Sequence, residues 1–192
     1  MVLNIKISNL NKAYGPTKIF ENFNAEFKNG QIYAVMGESG IGKTTLLRLI
    51  AGLEKADSGL IEIDNKTRFS YVFQENRLCD HLSAAENVMF TNPRLKKQYV
   101  EQELLKTGFS RDDLDKPVSN FSGGMKRRVA LLRALMHNCD VVLMDEPLTG
   151  LDEATQKTII DYILEKKGDR TLIVVTHSVL FAQAINATII SL

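Results

Sequence analysis

The chain has 192 residues, 44% of them hydrophobic, which suffices for one domain with a sizeable buried core and argues against intrinsic disorder. Lys and Arg number 24 against 23 Asp and Glu, so a net charge of +1 exerts no chain-wide pull on nucleic acid or anionic lipid, and no nucleic-acid partner is expected. The opening MVLNIKISNL has no basic region leading into a long apolar one, and the longest apolar run, IYAVM, falls far short of the roughly 20 residues of a membrane span, so a soluble, cytoplasmic chain is expected.

In chain order, Leu3, Ile5 and Ile7 alternate with Asn4, Lys6 and Ser8, the pattern of a half-exposed antiparallel strand. Ile32 to Met36 is continuously apolar, as a strand covered on both faces is. Leu46, Leu47, Ile50 and Leu53 then follow helical spacing. Ile61 and Ile63 alternate with Glu62 and Asp64, giving a second half-exposed strand, and Tyr71 to Phe73 reads as a short apolar strand. Arg94 to Thr107 is helix-like and charged, SRDDLDKPVSN is turn-rich, and MKRRVALLRALMHN is a long helical stretch. Val141 to Met144 is a second fully apolar run, Ile159, Ile160, Ile163 and Leu164 mark another helix, and Leu172 to Val175 is the third apolar run. No repeat, low-complexity tract or Pro-rich linker interrupts this order. The expectation is an α/β fold with crossover helices, a mainly parallel sheet and an antiparallel margin.

Each apolar run ends in polar residues suited to chemistry: GESGIGKT after the first, DEP after the second, TH after the third. Ligands of open parallel sheets bind beyond the carboxyl ends of the strands, so these three ends define one expected site. Gly37 to Thr44 reads G-x-x-x-x-G-K-T between a buried strand and an amphipathic helix, the context of a phosphate-binding loop. Gly37, Glu38, Ser39, Gly40, Ile41, Gly42, Lys43, Thr44 and the next residue, Thr45, are expected to surround a polyphosphate, with backbone N–H groups pointing inward and the helix adding its positive end. Lys43 would reach the β- and γ-phosphates, and the Thr44 hydroxyl would bind Mg²⁺.

Asp145 and Glu146 are adjacent acids after VVLM, a costly placement without a metal or a catalytic task. Alternation along the strand separates them: Asp145 toward the Mg²⁺ shell, Glu146 toward the attacking water as general base. His177 is placed to hydrogen-bond a γ-phosphate, and Gln74 to touch Mg²⁺ or the water through its neutral amide. Ser122, Gly123 and Gly124 stand before a helix and resemble a second anion site, far in sequence from the first. His81 and His137 have no comparable context, and Cys79 and Cys139 lack the spacing of a zinc site or disulfide framework.

With FSGGM standing shortly before VVLMDEP, the sequence resembles the nucleotide-binding domain of the ATP-binding cassette family, whose signature reads LSGGQ. The resemblance covers nearly the whole chain in order: Tyr14, GESGIGKT, Gln74, FSGGM, VVLMDEP, Leu151 to Asp152, and His177. It implies a P-loop ATPase core over 1–75 and 121–192 with an inserted α-helical subdomain over about 76–120. It implies ATP and Mg²⁺ as cofactors, Tyr14 stacking on adenine, and Asp152 in a turn that crosses a dimer interface. It also implies that the signature of one cassette, a second copy or a related chain, caps the ATP held by the other. An integral membrane permease would dock near Gln74 and hold the cassette peripherally on the cytoplasmic face of the membrane.

The sequence departs from the family pattern in three places. Met125 replaces the signature glutamine, which removes an amide from the interface and implies slower hydrolysis without its loss. The stretch from Asp64 to Gln74 is short, and the chain stops soon after His177, so the accessory region of many members is expected to be absent. YVFQENRLCDHLSAAENV is similar to importer ATPases for small organic or inorganic anions, in a stretch where most cassettes vary without a change of substrate. The competing readings are an ABC-type clamp on DNA or the ribosome, a regulatory module that binds ATP without hydrolysis, and a small-molecule kinase. The first calls for a coiled-coil insertion or a second cassette, and neither fits within 192 residues. Lys43, Asp145, Glu146 and His177 disfavour the second, and the third leaves FSGGM unexplained.

Overall fold

The computed structural model describes residues 4–192. In chain order the elements are β1 (Ile5–Tyr14), β2 (Thr17–Phe27), β3 (Ile32–Met36), α1 (Lys43–Ile50), β4 (Ser58–Glu62), β5 (Phe69–Val72), α2 (Ala84–Thr91), α3 (Lys97–Lys106), α4 (Gly123–Leu135), β6 (Val141–Asp145), α5 (Glu153–Lys167), β7 (Thr171–Val175), α6 (Val179–Ala184) and β8 (Thr188–Ser191). They fall into two compact units. The first holds 4–69, Cys139–Asp145 and Asp169–Leu192; the second holds Ser70–Asn138 and Glu146–Gly168.

In the first unit β6, β7, β3 and β8 lie side by side in that order, every neighbouring pair parallel. All five residues of both β6 and β7 are buried, which explains why their sequence shows no alternation. The antiparallel margin takes the form of its own sheet, ordered β2-β1-β4. Ile5, Ile7 and Leu10 of β1 are buried there with Phe20 and Phe27 of β2. Leu3, the first residue of the alternation, lies outside the described residues.

Helix α1 packs on β6 and β7 through its buried face, which includes Leu46, Leu47 and Ile50. Leu53 does not continue that stripe; it is 59% exposed. The helix stops because Gly52 takes a left-handed φ of +69°. The Gly52 N–H then donates to Leu49 O at 3.1 Å and the Leu53 N–H to Arg48 O at 2.9 Å, a paired C-terminal cap.

The second unit is mainly helical. Ser83 caps α2 in a reciprocal box with Glu86, whose carboxylate accepts from the Ser83 N–H at 2.8 Å. Helix α3 begins at Lys97 rather than Arg94, because Pro93 holds Asn92 outside the helical region and a turn, Leu95 N–H to Asn92 O, intervenes. Helix α4 begins at Gly123, so both glycines of FSGGM lie within its first turn, and it ends at Leu135. Glu103 is 2% exposed and anchors α3 to α5, its Oε2 lying 2.6 Å from Lys166 and its Oε1 2.9 Å from Lys106. Burial pushes this carboxyl up, but the two ammoniums overcome that cost and its pKa falls below the ordinary value.

Candidate functional site

In the first unit the β3–α1 turn forms the phosphate-loop motif. Gly40 and Gly42 have φ of +81° and +115°, conformations that cost an L side chain about 1–2 kcal/mol. A Cβ on Gly42 would stand 2.4 Å from Ile19 Cγ2, so this position also needs the missing side chain for space. Helix α1 has no side-chain cap, and the N–H groups of a first helical turn have no partner within their own helix. Such groups can offer donors and a positive helix end to an anion.

Lys43 is 6% exposed, and its ammonium curls back to donate to Gly37 O at 2.9 Å and Glu38 O at 2.7 Å. Pairing with carbonyls is what makes a buried ammonium tolerable. It also holds the nitrogen against the first two residues of the loop. Beside it, the Thr44 hydroxyl donates to Asp145 Oδ2 at 2.7 Å, joining the start of α1 to the end of β6. Asp145 is 2% exposed. A hydroxyl and a carboxylate in contact form a pair of hard oxygen donors that fits Mg²⁺, which takes few protein ligands and keeps water and phosphate oxygens as the rest.

His177 lies exposed just beyond β7, on the same side of the sheet as the ends of β3 and β6, since the three strands run parallel. Tyr14 ends β1, exposed over 46% of its surface, with its hydroxyl donating to Glu54. Lys12 stands 5.0 Å from the ring centroid and 3.1 Å from Glu54. Partial burial, then the Glu54 carboxylate, raise the Tyr14 phenol above its ordinary value and keep it neutral.

The second unit holds the remaining predicted residues. Ser122 is the N-cap of α4; its Oγ accepts from the Met125 N–H at 3.2 Å. Gly123 has open space where a Cβ would be, and a Cβ on Gly124 would lie 3.3 Å from Gly150 O. The expected strand before Gln74 is displaced: β5 ends at Val72, and Phe73 leaves it to stack on Tyr71 at 4.1 Å with the Arg77 guanidinium 3.9 Å above its ring. Glu146 adopts φ +47°, a left-handed backbone unusual for a side chain of its type. Asp152 caps α5, accepting from the Thr155 N–H at 2.9 Å.

Arg127 and Arg133 stand out in the structure but carry no sequence motif. Arg127 is 3% exposed and donates to the carbonyls of Phe73, Gln74, Glu146 and Pro147. Arg133 donates to Arg77 O at 2.8 Å and Asn76 O at 3.0 Å. The available signal was helical phase: Arg127 shares the buried stripe of Leu131 and Leu135, where a charged residue requires an internal partner.

A family model described as ABC transporter matches residues 20–149. The chain is 34% identical over 190 residues to the ergothioneine transport ATP-binding protein of Helicobacter pylori (strain G27), covering 90% of this chain and 89% of that one. It is 37% identical over 192 residues to a probable sulfate/thiosulfate import ATP-binding protein of Chlorella vulgaris, covering 91% and 81%. Among solved structures, a bacterial ABC transporter cassette determined as a dimer superimposes with a TM-score of 0.86 at 27% identity, over 98% of this chain and 94% of that one. The matched span includes the phosphate loop, Gln74, the FSGGM helix start and the Asp145–Glu146 pair, and the chain belongs to the ABC transporter family as an ATP-binding, ATP-hydrolysing cassette.

Proposed function

We propose that this cassette powers uptake through a membrane permease, hydrolysing ATP with Mg²⁺ while paired with a second cassette. The observation that carries the chemistry is the Lys43, Thr44 and Asp145 cluster, where an ammonium, a hydroxyl and a buried carboxylate gather at one strand–helix turn. The N–H groups of Gly37 to Thr45 hold the β- and γ-phosphates, and Lys43 spans both. Thr44 and Asp145 would hold Mg²⁺, whose charge would offset that on the phosphate oxygens during transfer. Glu146 orients a water and accepts its proton as the water oxygen bonds to the γ-phosphorus and the bond to the β-bridging oxygen breaks, giving ADP and phosphate. His177 hydrogen-bonds the γ-phosphate, and Tyr14 stacks on the adenine.

Ser122, Gly123 and Gly124 cap the nucleotide of the partner cassette in this reading, which explains why one chain owns two anion-binding helix starts. Residues 76–120, within the second unit, are the helical subdomain that meets the permease. Among the described residues no helix is long and apolar enough to cross a membrane, so membrane association would come through that partner. Import is supported by the Chlorella relative, a probable sulfate/thiosulfate import ATP-binding protein, and by the YVFQENRLCDHLSAAENV stretch. The test is a pull-down of tagged Glu146→Gln from detergent-solubilised membranes with ATP and Mg²⁺. An integral membrane protein retained only with nucleotide supports the proposal; soluble or ribosomal partners alone would overturn the transport part.

A further inference from the structure

The backbone of Glu146 is held by a residue to which its chemistry gives no obvious role. Glu146 sits at φ +47°, where a non-glycine residue carries about 1–3 kcal/mol of strain unless its surroundings over-determine it. Its carbonyl accepts from Arg127 Nη2 at 2.7 Å and from the Thr149 N–H at 3.2 Å. The same guanidinium donates through Nε to Pro147 O at 3.0 Å and through Nη1 to Phe73 O at 2.5 Å, Gln74 O at 3.3 Å and Asn76 Oδ1 at 3.4 Å. One planar fork therefore ties the turn after β6 to the segment after β5. Its stem rises from the helix whose first turn carries Gly123 and Gly124.

We infer that Arg127 is a positioning residue for hydrolysis. It fixes Glu146 in the left-handed turn from which its carboxylate meets the water, and it makes the start of α4, the Gln74 segment and the Glu146 turn move as one body. The fork is necessary because four carbonyls in different directions must be served at once, which a lysine's single nitrogen cannot do. Arg133 extends the link by holding Asn76 and Arg77 from the same helix, and so fixes the Gln74 segment at both its ends. A nucleotide seated against Ser122 to Gly124 would then settle Glu146 and Gln74 together, and hydrolysis would wait for the partner cassette to close.

The inference rests on Glu146 acting on the water, so the experiment carries Glu146→Gln beside Arg127→Lys and Arg127→Gln. Steady-state turnover is expressed per bound ATP, with equilibrium ATP binding and thermal midpoint measured on each protein. Misplacing a catalytic group by an ångström costs about 10²-fold, so Arg127→Lys is expected to lower kcat about 10- to 100-fold with ATP affinity within roughly twofold of the parent. A purely structural role would instead lower turnover and bound ATP in proportion. Such proportional loss overturns the inference, as does unchanged kcat in both Arg127 variants while Glu146→Gln is inactive. If Glu146→Gln itself keeps its turnover, the role of Glu146 fails first and the inference goes with it. Should Arg127→Gln not fold, Arg127→Lys, which retains the charge and the aliphatic stem, decides alone.

Discussion

Substituting Gly42 by alanine tests whether the loop conformation seen here is the one that binds phosphate. At φ +115° the new residue bears about 1–2 kcal/mol of backbone strain. Its methyl would meet Ile19 Cγ2 at 2.4 Å and Phe20 Cζ at 3.1 Å, and relieving such overpacking costs about 1–3 kcal/mol more. Tenfold in affinity corresponds to about 1.4 kcal/mol, so ATP binding should weaken by between about 30-fold and a few thousand-fold if the cost falls on the loop. Gly40→Ala is the matched control, because its φ is +81° but no atom lies within 4 Å of the added carbon. Only backbone strain remains there, and the loss should be about 5- to 30-fold. Equilibrium titration with ATP reads both. Binding by Gly42→Ala within about threefold of the parent, or a larger loss in Gly40→Ala, would refute the reasoning.

Three further outcomes follow from the same structure. Thr44→Val keeps the shape of the side chain but removes the hydroxyl bonded to Asp145, and should raise the Mg²⁺ concentration for half-maximal ATPase about 10- to 100-fold; an unchanged Mg²⁺ titration would remove Thr44 from the metal site. Glu103→Ala strips the carboxylate from between Lys166 and Lys106 and should cost about 2–4 kcal/mol in chemical denaturation, below the ceiling for a fully buried pair because Lys106 is half-exposed. Asp113 is held down to about 2 from an ordinary 3.8 by the Ser110 hydroxyl, then by Lys116 and the Ser110 N–H. Its contribution is therefore complete above pH 3.8 and lost as pH falls through about 2, so an NMR titration should show the Asp113 carboxylate ionised at pH 3.

The central strands and the phosphate loop were legible because both rest on local signals. Residues buried on both faces leave an apolar run, as β6 and β7 do, and the loop's glycines and lysine sit at fixed offsets. Strand β2 left little trace, since most of its eleven residues are at least partly exposed and it is defined by pairing with β1 rather than by its own pattern. Strand β8 is four residues long, too short for a period to show. Leu53 fits the apolar spacing of α1 yet lies beyond it, because Gly52 ends the helix inside a spacing that continues past it. Arg127 was missed for a different reason: its partners are carbonyls, which every residue has, so no side-chain motif announces them. The left-handed turn at Glu146 is likewise a backbone property that the letters DEP do not encode.

In the proposed function each chain carries two half-sites, one at Gly37 to Thr45 and one at Ser122 to Gly124, completed only when two cassettes close on ATP. Light scattering after size exclusion of Glu146→Gln, which should bind ATP without consuming it, tests this directly. One chain per particle is expected without nucleotide, two chains with ATP and Mg²⁺, and one chain again when Ser122→Arg is added to the variant. Particles of a single chain at saturating ATP, with bound nucleotide verified in the same fraction, would contradict it.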